Sequence, residues 1–132
     1  ELAELSWGLW RKHLGRLPRE NPVRKFRDRF AADLPDMQTR GLDHYHAWAF
    51  ASTRQLGAAF ELAAANLRWL QDQGRGGLQP AIEAFEEISA DNKAFILKGA
   101  RAVNSKRALD MAATFDRMIA AWDRGFAALT GR

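Results

Sequence analysis

The stretch "HAWAFASTRQLGAAFELAAANLRWL", residues 46–70, decides the fold. Apolar residues fall on nearly every side of it at helical spacing, which predicts a helix in the middle of a packed domain. Arg54 and Glu61 nevertheless stand within it. Seven residues turn a helix by about 700°, so these two side chains share one side, roughly 10 Å apart along the axis. The role of this cation and this carboxylate is the main question that the sequence raises.

On both sides of this stretch, the spacing of apolar residues and the helix start and stop signals are informative. Together with the stretch itself, they predict five helices. The first covers about residues 2–16. The second begins at Pro22 with Asn21 as its N-cap, and Pro35 predicts a kink or an end near Leu34. The third starts after Gly41, with Asp43 as a candidate cap, and runs to about residue 73.

"GRGG" at residues 74–77 then breaks the chain. The fourth helix runs from about residue 79 to 105, with "SADN" at 89–92 as a place where it could bend. The fifth has a seam at spacings of three and four, formed by Leu109, Ala112, Phe115, Ile119, Trp122, Phe126 and Leu129. No segment alternates with period two, so the fold class is all-α. We expect a bundle of about five helices in which the third and fourth form a long antiparallel pair.

The 132 residues, 47% of them hydrophobic, suffice for a single helical domain. Cysteine is absent, which excludes disulfides, thiolate metal sites and a cysteine nucleophile within the chain. Charges interrupt every hydrophobic segment before the ~18 apolar residues of a membrane span, and no signal peptide is visible. These features predict a soluble, cytoplasmic protein with no membrane partner. The chain begins without Met and already in helical period, which predicts a fragment of a longer protein.

The net charge is +4, and the excess is local. Eight cations stand at residues 11–29 against Glu20 and Asp28: Arg11, Lys12, Arg16, Arg19, Arg24, Lys25, Arg27 and Arg29. Such a segment suits an acidic protein, nucleic acid or anionic lipid, or is a solvated face of two amphipathic helices. Phe26 and Phe30 fall on the apolar stripe, which favours a place in the core over base stacking and argues against nucleic acid.

No hydrolase elbow, phosphate-binding loop or catalytic carboxylate pair is recognisable, so no catalytic residue is predicted. "DHYH" at residues 43–46 places His44 and His46 two positions apart, which does not put both on one helical face. The chain also lacks the Glu-x-x-His pairs of di-iron bundles. We therefore predict no metal site, an exposed His44 and a packed His46.

Polar residues also recur on the fourth helix, where Lys98, Arg101 and Asn104 follow one another at spacings of three. If the third and fourth helices are antiparallel, this stripe could face Arg54 and Glu61, with Glu61 paired to Arg101 or Lys98. Gly57, costly within a helix, indicates close approach by another helix or a ligand. Two interpretations stay open. One is a buried polar network, and the other is a groove for an anionic group such as a carboxylate or phosphate, formed by His46, Arg54, Glu61, Lys98, Arg101 and Asn104.

Three stretches, "NPVRKFRDRFAADLP", "YHAWAFASTRQLGAAFELAAANLRWL" and "KGARAVNSKR", resemble the C-terminal helical half of a bacterial family of unknown function. The likeness covers nearly the whole chain, to "AAWDRGFAAL". Members of that family are about twice as long and are encoded near carrier proteins and amino acid:carrier protein ligases. Their N-terminal half is similar to papain-like acyltransferases with a Cys and a His as the catalytic pair.

The resemblance implies that the chemistry lies upstream of this chain. It implies an accessory or binding domain that completes an acyltransferase cleft or docks an acidic carrier protein, which would carry phosphopantetheine. No cofactor of the chain itself is predicted. Arg24, Lys25 and Arg27 are the candidate partner-binding residues. The alternative is a purely structural or oligomerising bundle, with an exposed patch of Trp7, Trp10 and Trp69 as its contact surface.

Overall fold

The computed structural model describes residues 1–106 and 111–131. They form six helices and no strand: α1 (Leu2–Leu14), α2 (Pro22–Arg40), α3 (Leu42–Ala51), α4 (Thr53–Asp72), α5 (Gln79–Ser105) and α6 (Ala112–Thr130). The predicted all-α bundle is confirmed, and the six segments arise because the third predicted helix is divided in two. Leu109, the first predicted seam residue of the last helix, lies outside the described residues.

The division between α3 and α4 falls at Ser52, whose backbone leaves the helical region at φ −122° and ψ −74°. The Ser52 hydroxyl donates to the Trp48 carbonyl oxygen at 2.7 Å. Such a bond to the carbonyl four residues back is a known cause of bending. The apolar pattern continues through the break, so periodicity alone did not reveal it. The expected cap at Asp43 is wrong, because α3 begins at Leu42 with Gly41 as its N-cap at φ +92°.

The start of α2 follows its sequence signals, but its end does not. The Asn21 side chain accepts a hydrogen bond from the Val23 N–H at 2.9 Å, and Pro22 occupies the first turn. Of the kink or end predicted near Leu34, the end is wrong, because α2 continues through Pro35 to Arg40. Pro35 and Ala31 are both exposed, so water can reach the carbonyl that lacks a proline N–H partner.

Helix α5 is the central helix, with α4 and α6 packed along it. It runs without interruption through "SADN", so these residues do not divide the helix. The expected antiparallel arrangement of α4 and α5 is confirmed by side-chain pairs at both ends of the contact. Gln71 donates to Gln79 at 3.1 Å near the connection, and Lys93 lies 3.7 Å from Glu61 further along.

An aromatic core fills the space where α2, α3, α5 and α6 meet, formed by Phe26, Phe30, Trp48, Phe95 and Phe115. Phe30 meets Phe95 edge to face with ring centroids 4.8 Å apart, and Phe95 meets Phe115 at 5.3 Å. Edge-to-face pairs of this kind add stability beyond their buried area. The prediction that Phe26 and Phe30 belong to the core is therefore confirmed.

Candidate functional site

A groove of about 470 Å³ opens between α4 and α5 on the side away from the aromatic core. Helix α4 contributes Thr53, Arg54, Gly57, Ala58 and Glu61, and α5 contributes Asn92, Lys93, Ile96 and Leu97. We call this the α4–α5 groove. It contains both residues that raised the initial question, Arg54 and Glu61.

Gly57 sets how closely the two helices approach at the bottom of the groove. A Cβ atom placed on Gly57 would lie 3.3 Å from the Asn92 Cβ atom. That contact would be tighter than ordinary van der Waals packing. The glycine is tolerated in mid-helix here because its missing side chain lets α5 approach closely. The expectation that Gly57 marks a close approach is confirmed.

Two buried polar atoms that line the groove have no hydrogen-bond partner among the described residues. Thr53 is 0% exposed and its Oγ1 atom is unpaired, and Asn92 is 1% exposed with an unpaired Oδ1 atom. A buried polar atom without a partner costs about 1–3 kcal/mol. Most such atoms in proteins are bonded, so two that line one opening indicate a place where something other than the protein supplies the bonds.

The charges at the groove are exposed, and one of them is unpaired. Glu61 pairs with Lys93 at 3.7 Å, with side chains 62% and 68% exposed, so the pair contributes little stability. The Arg54 guanidinium lies 5.6 Å from the centre of the Phe50 ring, and no carboxylate of the described residues pairs with it. The charge balance of these three residues is therefore +1.

The groove continues in both directions along the two helices. Beyond Arg54 and Ile96 lies a cavity of about 230 Å³ that His46, Ala49 and Phe50 complete. Beyond Glu61 and Lys93 lies another of about 400 Å³, which is lined in part by three alanines and bounded by Arg68 and Glu86, which form an ion pair. The alanine-rich sequence of α4 thus keeps one long trough open.

Tyr45 fixes one wall of this trough from the core side. Its hydroxyl donates to the Ile96 carbonyl oxygen at 2.7 Å, and its ring packs against Gly99, where an added Cβ would collide with the phenol. Tyr45 is fully buried, and this burial raises its pKa to about 12. The phenol therefore stays a proton donor at physiological pH.

The predicted stripe on the fourth helix is not part of the groove. Lys98, Arg101 and Asn104 are exposed and do not line it, and the expected pairing of Glu61 with Arg101 or Lys98 is wrong because Lys93 takes that place. The reason is where α4 begins. Its first residue lies opposite Ile96, so later residues of α5 extend past α4 and face α3.

The interpretation as a buried polar network is also wrong, because all six residues predicted for it are exposed. His46 is exposed rather than packed, and His44 is half-buried rather than exposed. Among residues 1–106 and 111–131, no group of three or more His, Asp or Glu side chains could hold a metal ion. No helix in that part of the chain is long and apolar enough to cross a membrane.

The basic segment divides into two parts. Arg24 lies 3.9 Å from Asp123, Lys25 lies 3.9 Å from Glu20, and Arg27 lies 3.1 Å from Asp28. The earlier cations, at the end of α1 and in the following loop, are exposed and have no ion pair with any described residue: Arg11, Lys12, Arg16 and Arg19. The uncompensated charge therefore lies before α2, not at its start.

The expected tryptophan patch is wrong. Trp7, Trp10 and Trp69 are half-buried against the core, and the Trp10 ring stacks on Phe85 at 6.4 Å while its N–H donates to Asn66 at 2.6 Å. The exposed apolar side chains of α1 are instead leucines, Leu2, Leu5 and Leu9, at 70%, 66% and 58% exposure.

Sequence reasoning missed Thr53 and Asn92, although a signal was present. Phe85, Ile88, Asn92 and Phe95 follow one another on α5 at spacings of three, four and three. Asn92 is therefore a polar residue on the buried apolar stripe of this helix. Thr53 stands one turn before Gly57 on the buried stripe of α4. Polar residues within an apolar stripe are the informative exceptions to burial.

The structure thus defines a helical bundle with a solvent-open groove beside its central helix, lined mainly by apolar surface and bordered by charged side chains. Comparison with protein families finds the DUF1839 C-terminal domain over residues 1–131. The chain belongs to the DUF1839 family and corresponds to its C-terminal domain. Neither a curated protein nor a solved structure matches it.

Proposed function

We propose that this chain is an accessory, binding domain of an acyltransferase-like protein, and that it acts in the cytoplasm by docking an acidic carrier protein charged with phosphopantetheine. The acyltransferase and the carrier protein come from the resemblance to the bacterial family. The observation that supports an acidic partner is the group of exposed, unpaired cations Arg11, Lys12, Arg16 and Arg19.

These cations suit docking because no carboxylate of the described chain competes for them. Charges of this kind act mainly on the rate and orientation of encounter, through a field that reaches about 10 Å at ~0.1 M salt. The candidates Arg24, Lys25 and Arg27 follow these cations along the chain, in the first turns of α2. Each has a carboxylate neighbour, so we assign them the smaller contribution to binding of the partner.

Binding of the carrier protein encoded nearest to the full-length protein, measured by titration calorimetry, tests this function. We expect the affinity to fall at least tenfold when salt rises from about 50 to about 300 mM. The variant with Lys12, Arg16 and Arg19 changed to Glu should lose about tenfold or more, and the Arg24, Lys25 and Arg27 variant less. Arg29→Glu with Arg40→Glu, on the remainder of α2, is the matched control and should change little.

Binding that ignores salt and all of these reversals, or no binding at about 50 mM salt, would refute carrier docking. The N-terminal part of such an acyltransferase is the other partner that the same charges would suit. Nucleic acid is a weaker candidate, because the aromatic side chains of this segment are packed in the core.

The second candidate function is a structural or oligomerising bundle. The exposed Leu2, Leu5 and Leu9 stripe supports it, because these side chains follow one another on one face of α1 at spacings of three and four. Sedimentation of the chain alone distinguishes the two functions. A concentration-dependent dimer that Leu5→Gln and Leu9→Gln dissociate would favour this second function.

A further inference from the structure

The two unpartnered atoms of the α4–α5 groove call for different hydrogen-bonding groups. Asn92 donates from Nδ2 to the Ile88 carbonyl oxygen at 3.0 Å, which fixes the orientation of its amide. The atom left over is therefore Oδ1, an acceptor that needs an N–H or O–H group. Thr53 Oγ1 carries a hydrogen and can donate to a carbonyl oxygen.

Thr53 belongs to α4 and Asn92 to α5, and both residues line the same opening, with the two atoms buried just beneath its surface. A secondary amide presents an N–H and a C=O that point in opposite directions across a planar group. An amide lying along the groove would therefore satisfy both walls at once. A carboxylate alone has no donor for Asn92. A hydroxyl group can donate to Asn92 and accept from Thr53, but only from one oxygen atom that lies between them, whereas an amide offers its donor and its acceptor on separate atoms.

The mouth of the groove adds a charge requirement. Arg54 borders both the groove and the adjoining cavity near His46, and it has no carboxylate partner among the described residues. It also lies in the first turn of α4, where the helix dipole favours an anion. Ile96 and the largely exposed Leu97 cover the α5 side with apolar surface. The complementary ligand has an anionic group next to a short apolar chain.

We propose that the α4–α5 groove binds an acyl amide that ends in an anionic group, with its N–H on Asn92, its C=O on Thr53 and its anion on Arg54. This site is separate from the basic surface that docks the carrier protein. Two sources offer the required chemistry, the phosphopantetheine arm of a carrier protein and a free N-acyl amino acid.

Titration of the ¹⁵N-labelled chain, followed by heteronuclear NMR, tests the site. The probes are N-acetylglycine and 4′-phosphopantetheine, with acetate and pantetheine as controls that lack the amide and the anion. We expect shifts confined to residues 53–61 and 92–97 and to the Asn92 side chain. Acetate and pantetheine should bind at least about fivefold more weakly than their parent probes, since each loses a polar contact of about that value.

Three variants assign the contacts. Thr53→Val keeps the shape and removes the hydroxyl, Asn92→Leu removes the acceptor, and Arg54→Gln removes the charge. Each should weaken the better probe about fivefold or more. Thr114→Val and Arg68→Gln are the matched controls, because Thr114 is equally buried but bonded to Arg117, and Arg68 is already paired with Glu86. If Asn92→Leu disturbs the fold, Thr53→Val alone still decides the role of the polar pair.

The probes also separate the two sources. Tighter binding of phosphopantetheine assigns the groove to a carrier arm, and tighter binding of N-acetylglycine assigns it to a free acyl amino acid. Acetate that binds as well as N-acetylglycine overturns the amide assignment, and shifts outside the groove or none at ~10 mM probe overturn the site. Because the probes are free molecules, this result is independent of whether the carrier protein docks on the basic surface.

Discussion

Buried polar groups on the two sides of α5 differ in whether their hydrogen bonds are made within the protein. On the side of the aromatic core, Tyr45 donates to the Ile96 carbonyl oxygen. Asn21, where the start of α2 meets α6, likewise uses both ends of its amide, since Oδ1 accepts from the Val23 N–H and Nδ2 donates to the Ile119 carbonyl oxygen. On the side of the α4–α5 groove, Asn92 and Thr53 are buried to the same degree, and each keeps one atom without a partner among residues 1–106 and 111–131. An unmet hydrogen bond is costly in a closed core and tolerable beside an opening. The comparison therefore distinguishes the groove as the side of α5 on which buried hydrogen-bonding capacity is left unused.

The largest effect should come from Gly99→Ala on the closed side. The new Cβ would collide with the Tyr45 phenol, so the buried ring must shift and its bond to Ile96 must break. We expect a loss of about 2–4 kcal/mol in the free energy of unfolding, measured in urea. Gly8→Ala is the control, because its Cβ would meet nothing within 4 Å and a helix gains up to about 1 kcal/mol from the change. Equal stability of the two variants would contradict the packing described for Tyr45.

The next effect compares the two buried asparagines directly. Asn21→Ala removes an N-cap bond at 2.9 Å and a bond to Ile119 at 2.8 Å, so it should cost about 2–3 kcal/mol. Asn92→Ala loses one bond to Ile88 but also removes an unpartnered acceptor, so it should cost less than about 1 kcal/mol. Thermal and urea unfolding of both variants checks the difference. A costlier Asn92→Ala would show that its Oδ1 atom is satisfied in solution.

The smallest effect is a pH dependence on the closed side. Burial raises the pKa of Tyr45 from 10.0 to about 12, so above about pH 10 the unfolded chain releases a proton that the folded chain retains. The unfolded state then binds fewer protons, and stability falls as the pH rises. Between about pH 9.5 and 11.5 the wild type should lose about 2 kcal/mol more than Tyr45→Phe. Parallel pH profiles for the two proteins would mean that the phenol is not desolvated.

Local signals predicted most helix boundaries, and the misses at Asp43, Pro35 and Ser52 have physical reasons. Asn21-Pro22 started α2 as expected, since capping depends on atoms within a few residues. The helix end expected at Pro35 is not found, because an exposed proline is tolerated inside a helix when water can hydrogen-bond the carbonyl that lacks an N–H partner. Ser52 was missed because its break does not alter the apolar pattern. The approach at Gly57 was predicted because glycine weakens a long helix unless a close neighbour needs the space of its missing side chain.

The candidate site was predicted only in part. Arg54 and Glu61 were placed on one side of a helix correctly, since helical phase is a property of one segment. Their neighbours were not predicted correctly, because the residues opposite them depend on the axial register of α5 against α4. The register found, with Ile96 opposite the start of α4, excludes Lys98 and Arg101 and brings in Lys93 and Asn92.

The sequence by itself determined the all-α class, the antiparallel pair at the centre and the basic segment, because these follow from periodicity, turn length and composition. Only the tertiary structure decided which polar groups remain unsatisfied and which cations remain unpaired. Those properties belong to pairs of atoms from distant parts of the chain, so they exist only once the helices have packed. For that reason Arg54 lacks a carboxylate partner among the described residues, whereas Glu61 is paired with Lys93. Both side chains of the stretch at residues 46–70 lie on one wall of the α4–α5 groove.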